Sequence, residues 1–251
     1  MATTKDLMNK TLRGIRQFGL IIPSGTNSTT DDYLLLILQF VNEAKEEIEE
    51  GGWAWQALRK TVTLTLASGT AEYTLTAAGD ADVNTNDRTR LLYENITYFG
   101  STEGFFNSSS SRPMIFDTTD ASEERLIEVT QERMERLHFT DNDETGQVRY
   151  ITLYSSGSAL KAKVWPTPDA TYTIKLRMFI PQDELTSADL TTTLLIPVRP
   201  VYLRATFKAN EERGSELGKE GSALYLAMLD AQGAATGKEM TPADQTVNLE
   251  R

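Results

Sequence analysis

The chain has 251 residues, no cysteine, 39% hydrophobic residues and a formal net charge of −11. That length suits one or two domains with a real core. The lack of cysteine excludes a disulfide framework and a thiol nucleophile, and an acidic surface argues against tight phosphate-backbone binding, which needs clustered Lys and Arg.

The opening MATTKDLMNKTLRG lacks the apolar stretch of a signal peptide. The longest apolar run, Tyr33 to Val41 broken by Gln39, is too short to span a bilayer. We therefore expect a soluble protein, made and used in cytoplasm or packaged from it, with no membrane partner. Residues 1–60 hold 7 Lys and Arg against 8 Asp and Glu, residues 61–196 hold 11 against 20, and residues 197–251 hold 7 against 8. The acidic excess thus falls in the middle segment.

In chain order, Leu7, Met8, Leu12, Ile15 and Phe18 recur on one face and predict a helix from about Thr4 to Phe18. Gly19 marks its end, and Pro23 to Thr30 reads as a loop. Asp31 and Asp32 open a second helix, where carboxylates suit the positive end of the dipole. Its core face is Leu34, Ile37, Leu38, Val41 and Ile48, with Leu35, Leu36 and Phe40 apolar on other sides. Such a helix is either centrally buried or meets another subunit. It stops at Gly51-Gly52, and Trp53 and Trp55 make an aromatic corner.

The period then changes from helical to two. Val62, Leu64 and Leu66 alternate with threonines, Ser68-Gly69-Thr70 makes a turn, and Tyr73 and Leu75 resume, which predicts a β-hairpin. Strands are expected at 148–154 and 159–165, joined at Ser155-Ser156-Gly157, and at Thr171 to Ile180. Two polar loops fall at 77–90 and 100–113. Ser122 to His138 reads as a helix with Ser122 as its N-cap.

Pro197 opens a helix with Val198, Val201, Tyr202, Ala205 and Ala209 on one face, ending near Gly214. A second helix places Leu217, Leu224, Tyr225, Met228 and Leu229 in register, and residues 235–251 form a flexible tail. The fold class is α+β. Residues 1–60 and 197–234 build a helical platform, and residues 61–196 form an inserted, antiparallel β-sandwich or barrel-like domain with one helix near 122–138.

No combination of residues amounts to a catalytic set, and we expect no enzyme, cofactor or metal. Asp141-Asn142-Asp143-Glu144-Thr145-Gly146 begins like a calcium loop, but Thr145 and Thr152 stand where ligands are required, so a polar turn is the better account. Glu135-x-x-His138 matches one half of a di-iron motif that needs two copies. Ser158-x-x-Lys161 has the spacing of a Ser–Lys nucleophile but no companion motif. Asn27, Asn95 and Asn107 fit N-x-S/T without a secretory signal.

The long acidic-ended helix, the W-x-W-x-x-L-(R/K) corner of Trp53, Trp55, Leu58 and Arg59, the Thr-rich strand, and the I-P-V-x-P-V-Y stretch from Ile196 to Tyr202 before two closing helices resemble the head-to-tail adaptor proteins of tailed bacteriophages. The podophage tail-tubular-A-like adaptors are the group they are most similar to. Residues 77–147 carry no part of the likeness. The resemblance implies a virion structural protein that forms a homo-oligomeric ring of twelve beneath the portal protein. Such a ring seats a downstream neck or tail protein (stopper, nozzle or tail terminator) and passes double-stranded DNA through its lumen. It also implies a C-terminal segment that docks on the portal. Candidate subunit or portal contacts are Leu35, Leu36, Phe40, Leu224, Met228, Val247 and Leu249. Another neck or tail component, stopper or baseplate-associated, is the first alternative. A β-sandwich carbohydrate-binding module, suggested only by Phe105-Phe106, is the second.

Overall fold

The computed structural model describes residues 2–51, 55–75, 89–98, 108–113, 115–119, 124–140, 144–156 and 159–239. In chain order the elements begin with helices α1 (Thr4–Gly14) and α2 (Asp32–Glu50) and strands β1 (Arg59–Leu66), β2 (Glu72–Thr74), β3 (Arg90–Leu91) and β4 (Tyr93–Tyr98). Strands β5 (Ser108–Pro113), β6 (Ile115–Asp117), β7 (Glu124–Arg125) and β8 (Ile127–Glu128) precede helix α3 (Gln131–Thr140). Strands β9 (Thr145–Gly146), β10 (Tyr150–Ser156), β11 (Ala159–Trp165), β12 (Thr167–Pro168) and β13 (Tyr172–Phe179) lead to helices α4 (Val198–Glu212) and α5 (Ala223–Glu239). The chain divides into two compact units, residues 1–58 with 182–251, and residues 59–181. The fold class is α+β.

In the helical unit, α1 starts with a capping box, in which Thr3 accepts from the Asp6 N–H and Asp6 accepts from the Thr3 N–H. Leu7, Met8 and Leu12 are fully buried. The helix ends at Gly14, a turn before the expected Phe18. The Gln17 N–H bonds to Leu12 O and the Arg16 N–H to Arg13 O, a Schellman close that places Arg16 at φ 61°. Phe18 then lies in a short 3-10 turn and is exposed, not on the core face. Gly14 is required by contact, since a Cβ there would lie 2.6 Å from the Thr206 side chain. Helix α4 packs against α1, α2 and α5, and Val201, Ala205, Phe207 and Ala209 are buried around it.

Helix α2 is capped by Asp31, which accepts from the Leu34 N–H at 3.0 Å. Its last turns bury an ion pair: Lys45 Nζ lies 3.5 Å from Glu49, both side chains have no exposure, and Lys45 donates to Gln182 O at 2.6 Å. Trp55 is buried and its indole donates to Ile48 O at 3.1 Å, so the aromatic corner fastens the end of α2. Trp53 lies outside the described residues.

The segment 182–196 belongs to this helical unit, not to the β region where we expected it. It runs as a strap. Thr3 bridges Thr193, Thr4 N–H donates to Thr192 O, and Leu194 N–H donates to Ala2 O. The Asn42 amide both donates to Leu185 O and accepts from Leu185 N–H, each at 2.9 Å. Leu185, Leu190, Leu194 and Ile196 are buried by it. With these boundaries, residues 59–181 hold 13 Lys and Arg against 17 Asp and Glu, and the remainder hold 12 against 19. The acidic excess is therefore not confined to the middle of the chain; the larger share, −7 against −4, belongs to the helical unit.

The β unit is a sandwich. One sheet has the order β1-β13-β6-β7, with β3 also on β13; the other runs β2-β11-β10-β8. Both face one core that includes Val62, Leu64, Leu66, Ile115, Ile151, Val164, Ile174 and Leu176. The strands expected at 148–154 and 159–165 are the β10–β11 hairpin, and the one expected from Thr171 to Ile180 is β13. Strands β1 and β2 do not form the expected hairpin. Leu64 pairs with Ile174 on β13, whereas Tyr73 pairs with Ala162 on β11. The turn at Ser68-Gly69-Thr70 instead carries the chain from one sheet to the other. The Tyr73 hydroxyl closes it, 2.5 Å from Thr70 O and accepting from the Ala67 N–H at 2.9 Å. Short parallel pairs, β8 with β10 and β9 with β12, make the assembly mixed rather than purely antiparallel.

The expected helix at 122–138 begins only at Gln131, because Glu124–Arg125 and Ile127–Glu128 add as strands to the two sheets. Its Met134 is buried with Val129 and Trp165. Part of the loop expected at 100–113 is also strand, since Ser108–Pro113 pairs with Tyr93–Tyr98.

The buried pair generates a stability prediction. Lys45→Met should cost about 3–5 kcal/mol, because it removes the buried cation paired with the Glu49 carboxylate. Lys45→Met combined with Glu49→Leu should recover most of that loss. Urea unfolding curves of the two variants check both outcomes.

Candidate assembly surface

Helix α5 shows how the surface arises. With about 100° per residue, Leu224, Met228, Ala231 and Ala235 share one side, and of these Met228, Ala231 and Ala235 are buried. Leu226, Leu229, Gly233 and Gly237 fall on the opposite side. Leu226 is 59% exposed and Leu229 45% exposed. A Cβ built on either glycine would meet nothing within 4 Å. The result is a helix with a second apolar stripe, and glycines that would let another backbone approach closely.

The register of α5 depends on the turn before it. Gly218 lies so close to α4 that a Cβ would sit 2.2 Å from Glu211 N. That contact fixes a 3-10 turn at Glu216–Gly218, so Leu217 ends α4's connection instead of starting the next helix as expected.

On α2, Leu36, Phe40, Glu43 and Glu47 form a line at spacings of four, three and four residues, so all share one face. Leu36 is exposed and Phe40 half-buried. Further along the same line, Glu47 meets Arg204 at 2.5 Å and Lys208 at 2.7 Å, and Glu43 meets Lys208 at 3.0 Å. Arg204 and Lys208 are themselves one turn apart on α4, so the two helices are joined by a ladder of charges. Above it a groove of about 320 Å3 is lined by Glu47, Ile48, Arg204, Tyr225, Met228 and Leu229, among others.

The structure brings some of the nominated contact residues together and separates others. Leu36 and Phe40 share a face, while Leu35 lies about 100° or more around the helix, on the side of Asn42 and the strap. Leu224 is half-buried. Met228 is 3% exposed, and its sulfur accepts from Arg204 at 3.4 Å, so it belongs to the α4–α5 contact and not to the outer surface. Val247 and Leu249 lie outside the described residues. Leu226 and the two glycines were missed. Helical spacing groups them opposite Met228, Ala231 and Ala235, but which of the two sides is buried is decided by tertiary packing, with α4 as the neighbouring helix.

The weighed chemical motifs resolve into structure where they are described. The His138 ring donates from Nε2 to Val164 O at 3.1 Å, and burial, with the nearby Lys163 charge, lowers its pKa, so it is a neutral hydrogen-bond donor to the sheet. Lys161 pairs with Glu72 at 2.6 Å. Tyr154, beside the same carboxylate, is pushed up to about 12 by burial and by Glu72. Asp141 to Asp143, Ser158, Phe105-Phe106 and Asn107 lie outside the described residues. Among the described residues, no group of three or more His, Asp or Glu side chains could hold a metal ion, and no helix is long and apolar enough to cross a membrane.

Helices α2 and α5 thus each carry an exposed apolar position, Leu36 on the one and Leu226 and Leu229 on the other. The profile of the SU10 adaptor protein family matches residues 3–247, and the chain belongs to that family of phage adaptor proteins. No curated protein matches it.

The charge ladder carries a pH prediction. Burial raises the Glu47 pKa, but hydrogen bonds from Lys208 and Arg204 outweigh it and hold the carboxyl below its ordinary value of 4.5. Its contribution is therefore complete above that value and lost as pH falls through the lower folded value. Lys208, raised above 10.5 by the same carboxylates against the effect of burial, contributes fully below that value and loses it as pH rises through its folded value. Thermal midpoints should fall between about pH 5 and about pH 3, and Lys208→Met should flatten that fall. Melts across the pH series check it.

Proposed function

We propose that this phage adaptor is a ring-forming head-to-tail component of the virion, assembled in host cytoplasm. It docks beneath the portal, seats the next neck or tail protein and lets double-stranded DNA pass through its lumen. The observation that carries the reading is the presence of two different apolar faces on one unit, the α5 stripe of Leu226 and Leu229 and the α2 face of Leu36 and Phe40. A closed ring needs two such complementary faces on each subunit, a heterologous contact that rotation closes. The family membership supports the adaptor role, which is structural rather than catalytic. Twelve is the proposed ring size, the number implied by the sequence's resemblance to podophage adaptors.

An acidic chain suits the lumen, since a channel that grips phosphates would slow the genome. The segment 240–251, with Val247 and Leu249, is the proposed portal contact.

Light scattering coupled to size exclusion tests this, on the chain alone and then mixed with the portal protein of the same phage. Recruitment at one adaptor per portal subunit is expected. A chain that stays monomeric and ignores the portal removes the adaptor-ring reading and favours another tail component. Leu226→Asp with Leu229→Asp should leave the thermal midpoint nearly unchanged and weaken ring assembly by about tenfold or more, read in the same experiment.

A further inference from the structure

A second cavity of the helical unit, about 410 Å3, opens between the end of α1 and the connection from α4 to α5. It is lined by Gly14, Ile15, Arg16, Asn210, Arg213, Ser215 and Leu217; among the described residues this lining carries two arginines and no carboxylate. That is unexpected where the helical unit holds 19 acidic residues against 12 basic. The nearby Glu216 is engaged by Lys219 at 2.6 Å.

Arg213 is held by its neighbours, and Arg16 is set by its backbone position. Arg213 donates one N–H to Ile15 O at 3.2 Å and stands 6.0 Å from the Tyr33 ring. That leaves most of its five donors for other partners. Arg16 occupies the left-handed position of the α1 close at φ 61°, where glycine is the favoured residue. A side chain kept at a strained backbone position points to a use outside the fold. Leu217, in the same lining, is 41% exposed.

We infer that this cavity is a docking site for an acidic, apolar-flanked peptide segment of a partner protein, with Arg16 and Arg213 receiving its carboxylates and Leu217 covering its apolar side chains. Guanidinium groups suit carboxylates because their planar donor pairs match both oxygens. A preplaced Arg213 lowers the ordering cost of binding. The exposed apolar Leu217 beside the two arginines favours a peptide over a nucleic acid. This goes beyond ring formation and does not depend on it.

The test uses the full chain and a fluorescent N-acetyl-Leu-Asp-Glu-Leu amide, with the Asn-Gln counterpart as control, followed by anisotropy. The acidic peptide should bind, the control at least about tenfold more weakly, and Arg16→Gly should reduce acidic-peptide binding by about tenfold or more. The same variant should raise the thermal midpoint, because glycine relieves the backbone, so loss of binding cannot be loss of folding. Equal binding of the two peptides, or binding unchanged in Arg16→Gly, overturns the inference. Inorganic phosphate or a DNA duplex competing better than the acidic peptide overturns it as well. So does loss of self-association in Arg16→Gly by sedimentation, which would make a second copy the occupant.

Discussion

The pairing of β1 with β13 is the constraint on which the rest depends. Residues 59–66 lie antiparallel to residues 172–179, with Arg59 opposite Phe179. The strand that opens the β unit thus begins where the strand that closes it ends. Only because the chain returns to its point of departure can residues 1–58 and 182–239 make a single helical unit. The contact joins positions more than a hundred residues apart and carries a loop-closure cost that local elements avoid. Its return is the core of the sandwich, in which Val62, Leu64, Ile174 and Leu176 are all fully or almost fully buried.

Within the helical unit, polar groups hold the geometry and apolar groups are left for other surfaces. The Lys45–Glu49 pair and the Trp55 indole fasten the end of α2, and the Glu43–Glu47 ladder ties it to α4. Surface ladders of this kind add little energy pair by pair. Their effect is directional: they fix the rotation of α2 about its axis, and so determine that Leu36 and Phe40 face outward beyond the ladder. On α5 the same task falls to one glycine contact at Gly218. An adaptor needs this division, since docking faces must be apolar while the free subunit still has to hold one shape.

Much of the architecture was legible in local patterns. Period-two alternation located β10, β11 and β13, and Asp31 marked the start of α2. What could not be read was decided by distant partners. The turn at Ser68-Gly69-Thr70 has hairpin chemistry, yet β1 and β2 find mates in different sheets. The strap at 182–196 has no periodicity because side-chain amides such as Asn42, not a strand ladder, satisfy part of its backbone. The candidate surface was legible only in part for the same reason. Leu36 and Phe40 could be picked out, whereas Met228 is buried and Leu226 exposed because tertiary packing, not periodicity, decides which side of α5 is covered.

The central position of α4 bears on the order of events during synthesis. Residues 59–181 form one uninterrupted stretch, complete as soon as β13 has emerged. Helices α1 and α2 are made earlier, but α4, which packs against both, is made only after that stretch. Domains generally fold as units while the chain is still growing. The inserted unit is therefore expected to mature before its host, and the faces of α1 and α2 that pack against α4 wait for it uncovered. Limited proteolysis of ribosome-held chains ending after residue 181 would reveal that order, and a protected first 58 residues at that stage would contradict it. A protein made to be one part of a larger assembly is, on this account, itself assembled from the inside of its sequence outward.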